Sequence, residues 1–213
     1  LSGSETRNIN RAYPGKPDGT LTEQAAYAVT ELIRTEGIDL TFDLHEASPE
    51  YPVINATVSH EKGIDIASMG VMDLQFSGIE MTLEPSPVNL HGLTHRELGD
   101  YTDTIPLLME TANASQGRLR GATNVEQVLT GKDKYYTYAA TLGVLYVPYD
   151  DNGHPIEERC GRHIQGIYEY SKNYSLLYAD NPISFHAVPN YQELFLDSDG
   201  SDLGGARLGS YLN

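Results

Sequence analysis

The segment TLTEQAAYAVTELIRTEGIDLTFDLHE, residues 20–46, decides the fold class because it predicts a helix followed at once by a strand. Thr20 and Glu23 have the spacing of a capping box, so the helix is expected to begin there. Apolar residues then recur at helical spacing, at Ala25, Ala28, Val29, Leu32 and Ile33. Gly37 is a suitable helix end. Apolar and polar residues alternate from Ile38 to Leu44, which predicts a strand that closes on His45.

Helices and strands are predicted to alternate through the rest of the chain, which is typical of the α/β class. Strands are expected at Ile79–Leu83, Ile105–Met109 and Val144–Pro148, and helices at Lys62–Phe76, Glu126–Gly131, Tyr135–Leu142 and Ile156–Tyr174. The polar stretch Leu90–Asp103, which contains Gly92, predicts a surface loop. We therefore expect one domain over residues 1–213, with a mixed central sheet, helices on both faces and an irregular tail at 175–213.

Composition excludes several classes of protein. The chain has 213 residues and a net charge of −16, so it repels phosphate backbones and a nucleic-acid partner is not expected. No apolar run approaches the roughly 20 residues that cross a bilayer, so no membrane partner is expected either. Cys160 is the single cysteine, which excludes an internal disulfide. Together with the absence of a signal peptide, this predicts a cytoplasmic protein. The oligomeric state does not follow from the sequence.

Two segments contain residues that are able to bind a metal ion or a substrate. His45 ends the predicted strand beside Asp43 and Glu46, where an imidazole can bind a metal or can simply be a hydrogen-bonded loop residue. Asn10 and Arg11 lie in a predicted turn, where a guanidinium can grip a carboxylate or can be solvated. Taken singly, each segment fits the structural interpretation as well as the functional one.

Their order and spacing resemble one family. Asn8-x-Asn10-Arg11-x-Tyr-Pro-Gly15, then a helix opening Thr-Glu, then a strand closing on Asp-Leu-His45, is similar to the succinylglutamate desuccinylase/aspartoacylase branch of the zinc carboxypeptidase-like enzymes. The resemblance covers about residues 7–52 and is looser beyond. It implies an α/β hydrolase domain that cleaves an amide bond in a small N-acyl amino acid or a peptide.

The resemblance also implies roles for individual residues. His45 matches the later zinc ligand of the family, and Asn10 with Arg11 matches the pair that binds the substrate carboxylate or a nearby oxygen. A downstream glutamate is the general base, for which Glu110 is preferred and Glu84 is the alternative. Arg118 is expected to line a pocket for an acidic substrate, although a solvated basic turn is equally compatible with its surroundings.

The chain departs from the family at one point. A His-x-x-Glu zinc motif is expected before Asn10, and residues 1–9 contain no histidine. The literal match at His154–Glu157 lies far downstream and is interpreted as coincidence. The sheet is therefore expected to lack its first strands, and this polypeptide alone is expected to bind zinc poorly. Three alternatives stay open: a true carboxypeptidase, a non-catalytic binding module that kept the fold, and a plain acidic α/β domain with accidental motif matches.

Overall fold

The computed structural model describes residues 8–47, 55–112, 119–120, 147–149, 156–178, 180, 182–188 and 191. The chain divides into two compact units. The first consists of Leu1–Leu44, Ala56–Met109 and Ile167–Ser184, and the second of His45–Asn55, Glu110–Gly166 and Phe185–Asn213. The predictions of a single domain and of a tail at 175–213 are not tested by this division.

The described residues form an α/β fold, as predicted, with a four-stranded mixed sheet and four helices. The helices are α1 (Leu21–Glu36), α2 (Ile64–Phe76), α3 (Thr94–Tyr101) and α4 (Ile156–Leu177). The strands are β1 (Leu40–Glu46), β2 (Ala56–Ser59), β3 (Thr82–Pro85), β4 (Ile105–Thr111), β5 (Leu119–Arg120) and β6 (Val147–Tyr149). The order in the main sheet is β1-β4-β2-β3, and β5 pairs with β6 in a separate ribbon. Short 3-10 turns lie at Ile9–Arg11 and Glu61–Gly63.

Strands β1 and β4 run parallel. The Ile105 N–H donates to the Asp39 carbonyl where both strands begin (2.8 Å), and the Ala47 N–H donates to the Thr111 carbonyl where both end (2.7 Å). Strand β2 runs against β4, because Asn55 before β2 accepts from the Ala112 N–H after β4 at 3.0 Å. Strand β3 is parallel to β2. The sheet is therefore mixed, as predicted, and β1 is one of its two ends among the described strands.

Helix α1 begins and ends where the sequence predicts, but it buries a different face. Thr20 and Glu23 form the capping box, and Gly37 ends the helix in the left-handed conformation with φ 62°. The buried residues are Ala26, Thr30 and Ile33, whereas Leu32 of the predicted apolar stripe is 57% exposed. A threonine can replace an apolar residue here because its hydroxyl donates to the Ala26 carbonyl at 3.0 Å.

The prediction of a surface loop at Leu90–Asp103 is wrong, because Thr94–Tyr101 is the helix α3 and most of it is buried. Its buried polar groups have partners that are distant in sequence. Asn10 accepts hydrogen bonds from Thr94 at its start, and the Lys62 ammonium donates to the Gly99 and Thr102 carbonyls at its end. Thr94–Tyr101 contains a single aliphatic residue, Leu98, so its sequence has too few apolar residues to predict a buried helix.

The remaining predicted elements that fall on described residues are found with shifted bounds. Strand β1 extends to Glu46 and β4 to Thr111, so His45 and Glu110 lie inside strands rather than after them. Helix α4 ends at Leu177, three residues beyond its predicted end. The predicted helices at 126–131 and 135–142 lie outside the described residues. No helix in the described part of the chain combines the length and apolar character needed to cross a membrane.

Tyr170 of α4 is the centre of the core in the first unit. Its side chain is fully buried, and its hydroxyl lies 2.5 Å from the Thr57 hydroxyl of β2. Its ring stacks with Phe42 of β1 at a centroid distance of 6.3 Å. Gly70 of α2 gives the ring its space, because a Cβ there would lie 2.2 Å from a ring carbon. Tyr170 of α4 therefore contacts both the sheet and helix α2.

Candidate functional site

His45 and Glu110 are neighbours on adjacent strands of the second unit. In a parallel pair, the bond from the Ala47 N–H to the Thr111 carbonyl makes Glu46 the cross-strand partner of Thr111, and therefore makes His45 the partner of Glu110. The bond between Ile105 and Asp39 at the other end of the strands gives the same register. Paired residues project from the same face of a sheet, with strands about 4.8 Å apart. An imidazole and a carboxylate, chosen separately from the sequence, thus lie side by side.

The opposite face of this strand end is covered by α4. Glu46 and Thr111 alternate with His45 and Glu110, so they point to that other face. Arg159 of α4 forms an ion pair with Glu46, and His163, one turn later, lies 3.4 Å from the Thr111 hydroxyl. Helix α4 therefore packs against the face of the strand end opposite His45 and Glu110.

The backbone that carries Glu110 is tightly held. Thr111 and Ala112 are fully buried, and the Ala112 N–H donates to the Asn55 side chain at 3.0 Å. Asn55 has a φ of 57°, a left-handed conformation that asparagine tolerates better than most residues. Buried backbone of this kind fixes the point on the strand from which Glu110 projects, which suits a group that must meet a substrate in one geometry.

His163 was not identified from the sequence. Its Nε2 donates to the His45 carbonyl at 3.1 Å, and its Nδ1 is buried with no hydrogen-bond partner among the described residues. Burial is the main cause that lowers the pKa of His163 to about 4, the hydrogen bond to the His45 carbonyl opposes it, and the nearby positive charges of Arg162 and Arg159 act in the same direction as burial. The ring is therefore neutral near pH 7, with its proton on the donating Nε2. No local sequence signal marks it, since it is one polar residue on a long amphipathic helix.

Asn10 and Arg11 lie in the 3-10 turn of the first unit. The Asn10 oxygen is occupied by Thr94, which donates from its N–H at 2.7 Å and from its hydroxyl at 2.8 Å. Arg11 is exposed, and its guanidinium donates to the Asn10 carbonyl at 2.5 Å. Asn10 thus has a structural role that the sequence did not predict. The role of the pair in holding a substrate carboxylate stays a prediction.

Glu84 and Arg118 are not brought to His45 by any described contact. Glu84 pairs with Val58 in the register of β3 and β2. In the sheet order β3 is separated from β1 by two strands, so the register that joins Glu110 to His45 does not extend to Glu84. Arg118 lies outside the described residues. Of the two candidate bases, Glu110 is the one adjacent to His45.

The described residues do not complete a zinc site at His45. A catalytic zinc ion takes three protein ligands, typically imidazole nitrogens and carboxylate oxygens. Among the described residues, the sole group of three or more candidate ligand atoms within 4.8 Å of one another is His60, Glu61 and Asp100, which does not include His45. His45 and Glu110 have the right chemistry for a ligand and a base, and a zinc site at His45 would need further ligands from outside the described residues.

The His60 group itself is better explained as a structural network. The His60 Nδ1 accepts from the Lys62 N–H at 3.2 Å, so its Nε2 carries the proton and donates to Asp100 at 3.0 Å. Arg96, which is 2% exposed, forms an ion pair with Glu61. A cation would have to displace a proton and compete with a buried guanidinium. The network instead joins the turn before α2 to α3.

Three more polar side chains lie in α3 or shortly before it. His91 is exposed and lies 3.2 Å from Glu97, while His95 is buried within α3. Tyr101 is 55% exposed, and its backbone carbonyl accepts from Arg34 at 3.2 Å. No protein-family model, no curated protein and no solved structure matches the chain.

Proposed function

We propose that this chain carries the base and one metal ligand of a zinc-dependent hydrolase that cleaves an amide bond in a small N-acyl amino acid or a peptide. The proposal includes a carboxypeptidase-like sheet with helices on both faces, as the sequence resemblance implies. The observation that supports it is the pairing of His45 with Glu110 on parallel strands β1 and β4. Two residues selected from separate motifs become neighbours only if the strands adopt this order and register.

Glu110 is assigned as the general base. A carboxylate held on a buried strand can accept a proton from an attacking water and return it to the departing amine without moving far. Its neighbours Thr111 and Ala112 are fully buried, so the backbone under the carboxylate is rigid. General base catalysis of this kind contributes about 10²–10⁴ in rate.

His45 is assigned as a metal ligand, with its backbone carbonyl bound to α4. Zinc, when bound, lowers the pKa of a coordinated water to about 7 and polarises a carbonyl. Because the described residues supply one imidazole rather than three ligands, we assign no step to the metal itself. The substrate class, an N-acyl amino acid or a peptide, also rests on the resemblance.

One observation favours a second candidate function. No group of ligand atoms within 4.8 Å includes His45 in the described part of the chain. A protein that retained the fold and lost the metal would be a binding module that holds an acyl amino acid or peptide without cleaving it. The two candidates differ in zinc content and in turnover, which can be measured together.

The test uses the protein expressed from its complete gene. Zinc is measured by mass spectrometry after dialysis, and hydrolysis is measured on a panel of N-acyl amino acids and short peptides. We expect about one zinc per chain, turnover of at least one panel member, and loss of both in His45→Ala. His186→Ala, at an exposed histidine, is the matched control and should retain both. A folded wild-type protein with neither zinc nor turnover would favour the binding module.

A further inference from the structure

The carbonyl oxygen of His45 receives two side-chain donors. The Thr111 hydroxyl donates to it at 3.3 Å and the His163 Nε2 at 3.1 Å. Both donors come from buried or half-buried residues, one on the neighbouring strand and one on α4. Side-chain donors to a strand carbonyl hold the backbone at that residue in addition to the sheet ladder.

A histidine at position 163 lowers the stability of the folded protein in one respect. Its Nδ1 is buried with no hydrogen-bond partner among the described residues, and a buried polar atom without a partner is destabilising. A methionine or leucine of similar size would fill the same space without that cost. An apolar residue, however, could not donate a hydrogen bond to the His45 carbonyl.

We infer that His163 is a positioning residue for His45, which it holds through the backbone carbonyl so that the imidazole stays in register with Glu110. The catalytic part of this inference rests on the proposed function, whereas the effect on the strand does not. His45 lies next to the last residue of β1, where a strand is most prone to fray. Active-site groups must be held within about 0.5 Å of their productive positions. A hydrogen bond from His163 to this carbonyl helps to restrict the movement of His45.

Two substitutions at position 163 separate the effect of the hydrogen-bond donor from the effect of side-chain size. His163→Gln places an amide nitrogen near the position of Nε2 and keeps a donor, whereas His163→Met keeps the size and removes the donor. Arg159→Met is the control, since it breaks the ion pair of α4 with Glu46 without touching the His45 carbonyl. Amide hydrogen exchange at Ala47, whose N–H bonds to the Thr111 carbonyl, reports on the strand end without any activity.

We expect His163→Met to speed exchange at Ala47 about tenfold while leaving Leu107 in the core of β4 unchanged, and to lower kcat about tenfold with KM within twofold. His163→Gln should restore both values to within about threefold of wild type. The inference is overturned if exchange at Ala47 is the same in His163→Met and wild type, or if Arg159→Met gives the same losses. If the wild type shows no turnover, the proposed function fails, and the exchange experiment still decides whether His163 holds His45.

Discussion

The buried oxygen of Asn10 accepts two hydrogen bonds from Thr94, which lies 84 residues later and begins helix α3. Thr94 donates through its backbone N–H and its hydroxyl, so one amide oxygen satisfies two groups that are out of contact with water. The first turn of the described chain therefore caps a helix that the sequence alone does not predict. Asn10, which the sequence predicts to bind substrate, therefore also stabilises the fold.

The first prediction concerns this cap. Asn10→Ala should lower the free energy of unfolding by about 1–3 kcal/mol, because it leaves two buried donors without an acceptor. Asn10→Asp keeps the oxygen and should retain most of that stability. Urea unfolding measures both, and Asn8→Ala, at an exposed residue whose side chain caps the 3-10 turn, is the control. Equal losses for Asn8→Ala and Asn10→Ala would contradict the assigned role.

The second prediction separates the two candidate bases. Glu110→Gln should lower kcat about 10²–10⁴-fold with little change in KM or zinc content, since it removes a proton acceptor and keeps the shape. Glu84→Gln, the same change on β3, should leave kcat within about threefold. Steady-state kinetics on the best substrate of the panel decide between them. A large loss in Glu84→Gln together with an active Glu110→Gln would reverse the assignment.

The third prediction concerns the buried hydroxyl pair of Thr57 and Tyr170, which lie 2.5 Å apart. Thr57→Val and Tyr170→Phe should each cost about 1–3 kcal/mol, because each leaves one buried hydroxyl unsatisfied. The double variant removes both hydroxyls and should cost less than the sum of the two. A double-mutant cycle by urea unfolding measures the difference. Strict additivity would show that the two hydroxyls do not depend on each other.

The fourth prediction is a pH dependence. The hydrogen bond from Asn173 to Asp73, with the charge and bond of Lys172, holds the pKa of the Asp73 carboxyl below its ordinary value of 3.8. A carboxyl with a lowered pKa in the folded state contributes stability that is present above about pH 4 and is lost as the pH falls through the folded-state pKa. Wild type should thus lose stability faster than Asp73→Asn below pH 4.

Urea unfolding at pH 7, 5, 4 and 3 tests this fourth prediction. The stability difference between wild type and Asp73→Asn should be full at pH 7 and 5 and should shrink at pH 3. Asp18→Asn, at an exposed turn, serves as the control for the general effect of removing one negative charge. A difference that does not change with pH would show that the Asn173 and Lys172 contacts do not act on the ionised carboxyl.

The elements that local chemistry encodes could be predicted. The capping box of Thr20 and Glu23 and the left-handed Gly37 fix the ends of α1 through bonds and dihedrals within a few residues. Alternation of apolar and polar residues was enough to find β1, although its bounds moved by two residues. The face that α1 buries was predicted wrongly, because Thr30 satisfies its hydroxyl within the helix and packs as an apolar residue would.

The candidate site was predicted in part. His45 and Glu110 were both named from their motifs, and their roles stay proposals. Nothing in the sequence indicated His163, since its proposed role depends on a hydrogen bond to the carbonyl of His45, 118 residues earlier. Arg118 lies outside the described residues, and no group of three or more candidate metal ligands among the described residues includes His45.

The sequence by itself determined helices α1, α2 and α4 and strands β1 and β4, since hydrogen bonding within a turn and the period of apolar residues are local properties. It also determined the acidic charge and the residue types available for catalysis. Only the tertiary structure decided that α3 is a helix, that β1 lies beside β4, and that His45 faces Glu110. Those outcomes depend on partners tens of residues apart, because strand register and the satisfaction of buried polar groups are set by long-range contacts.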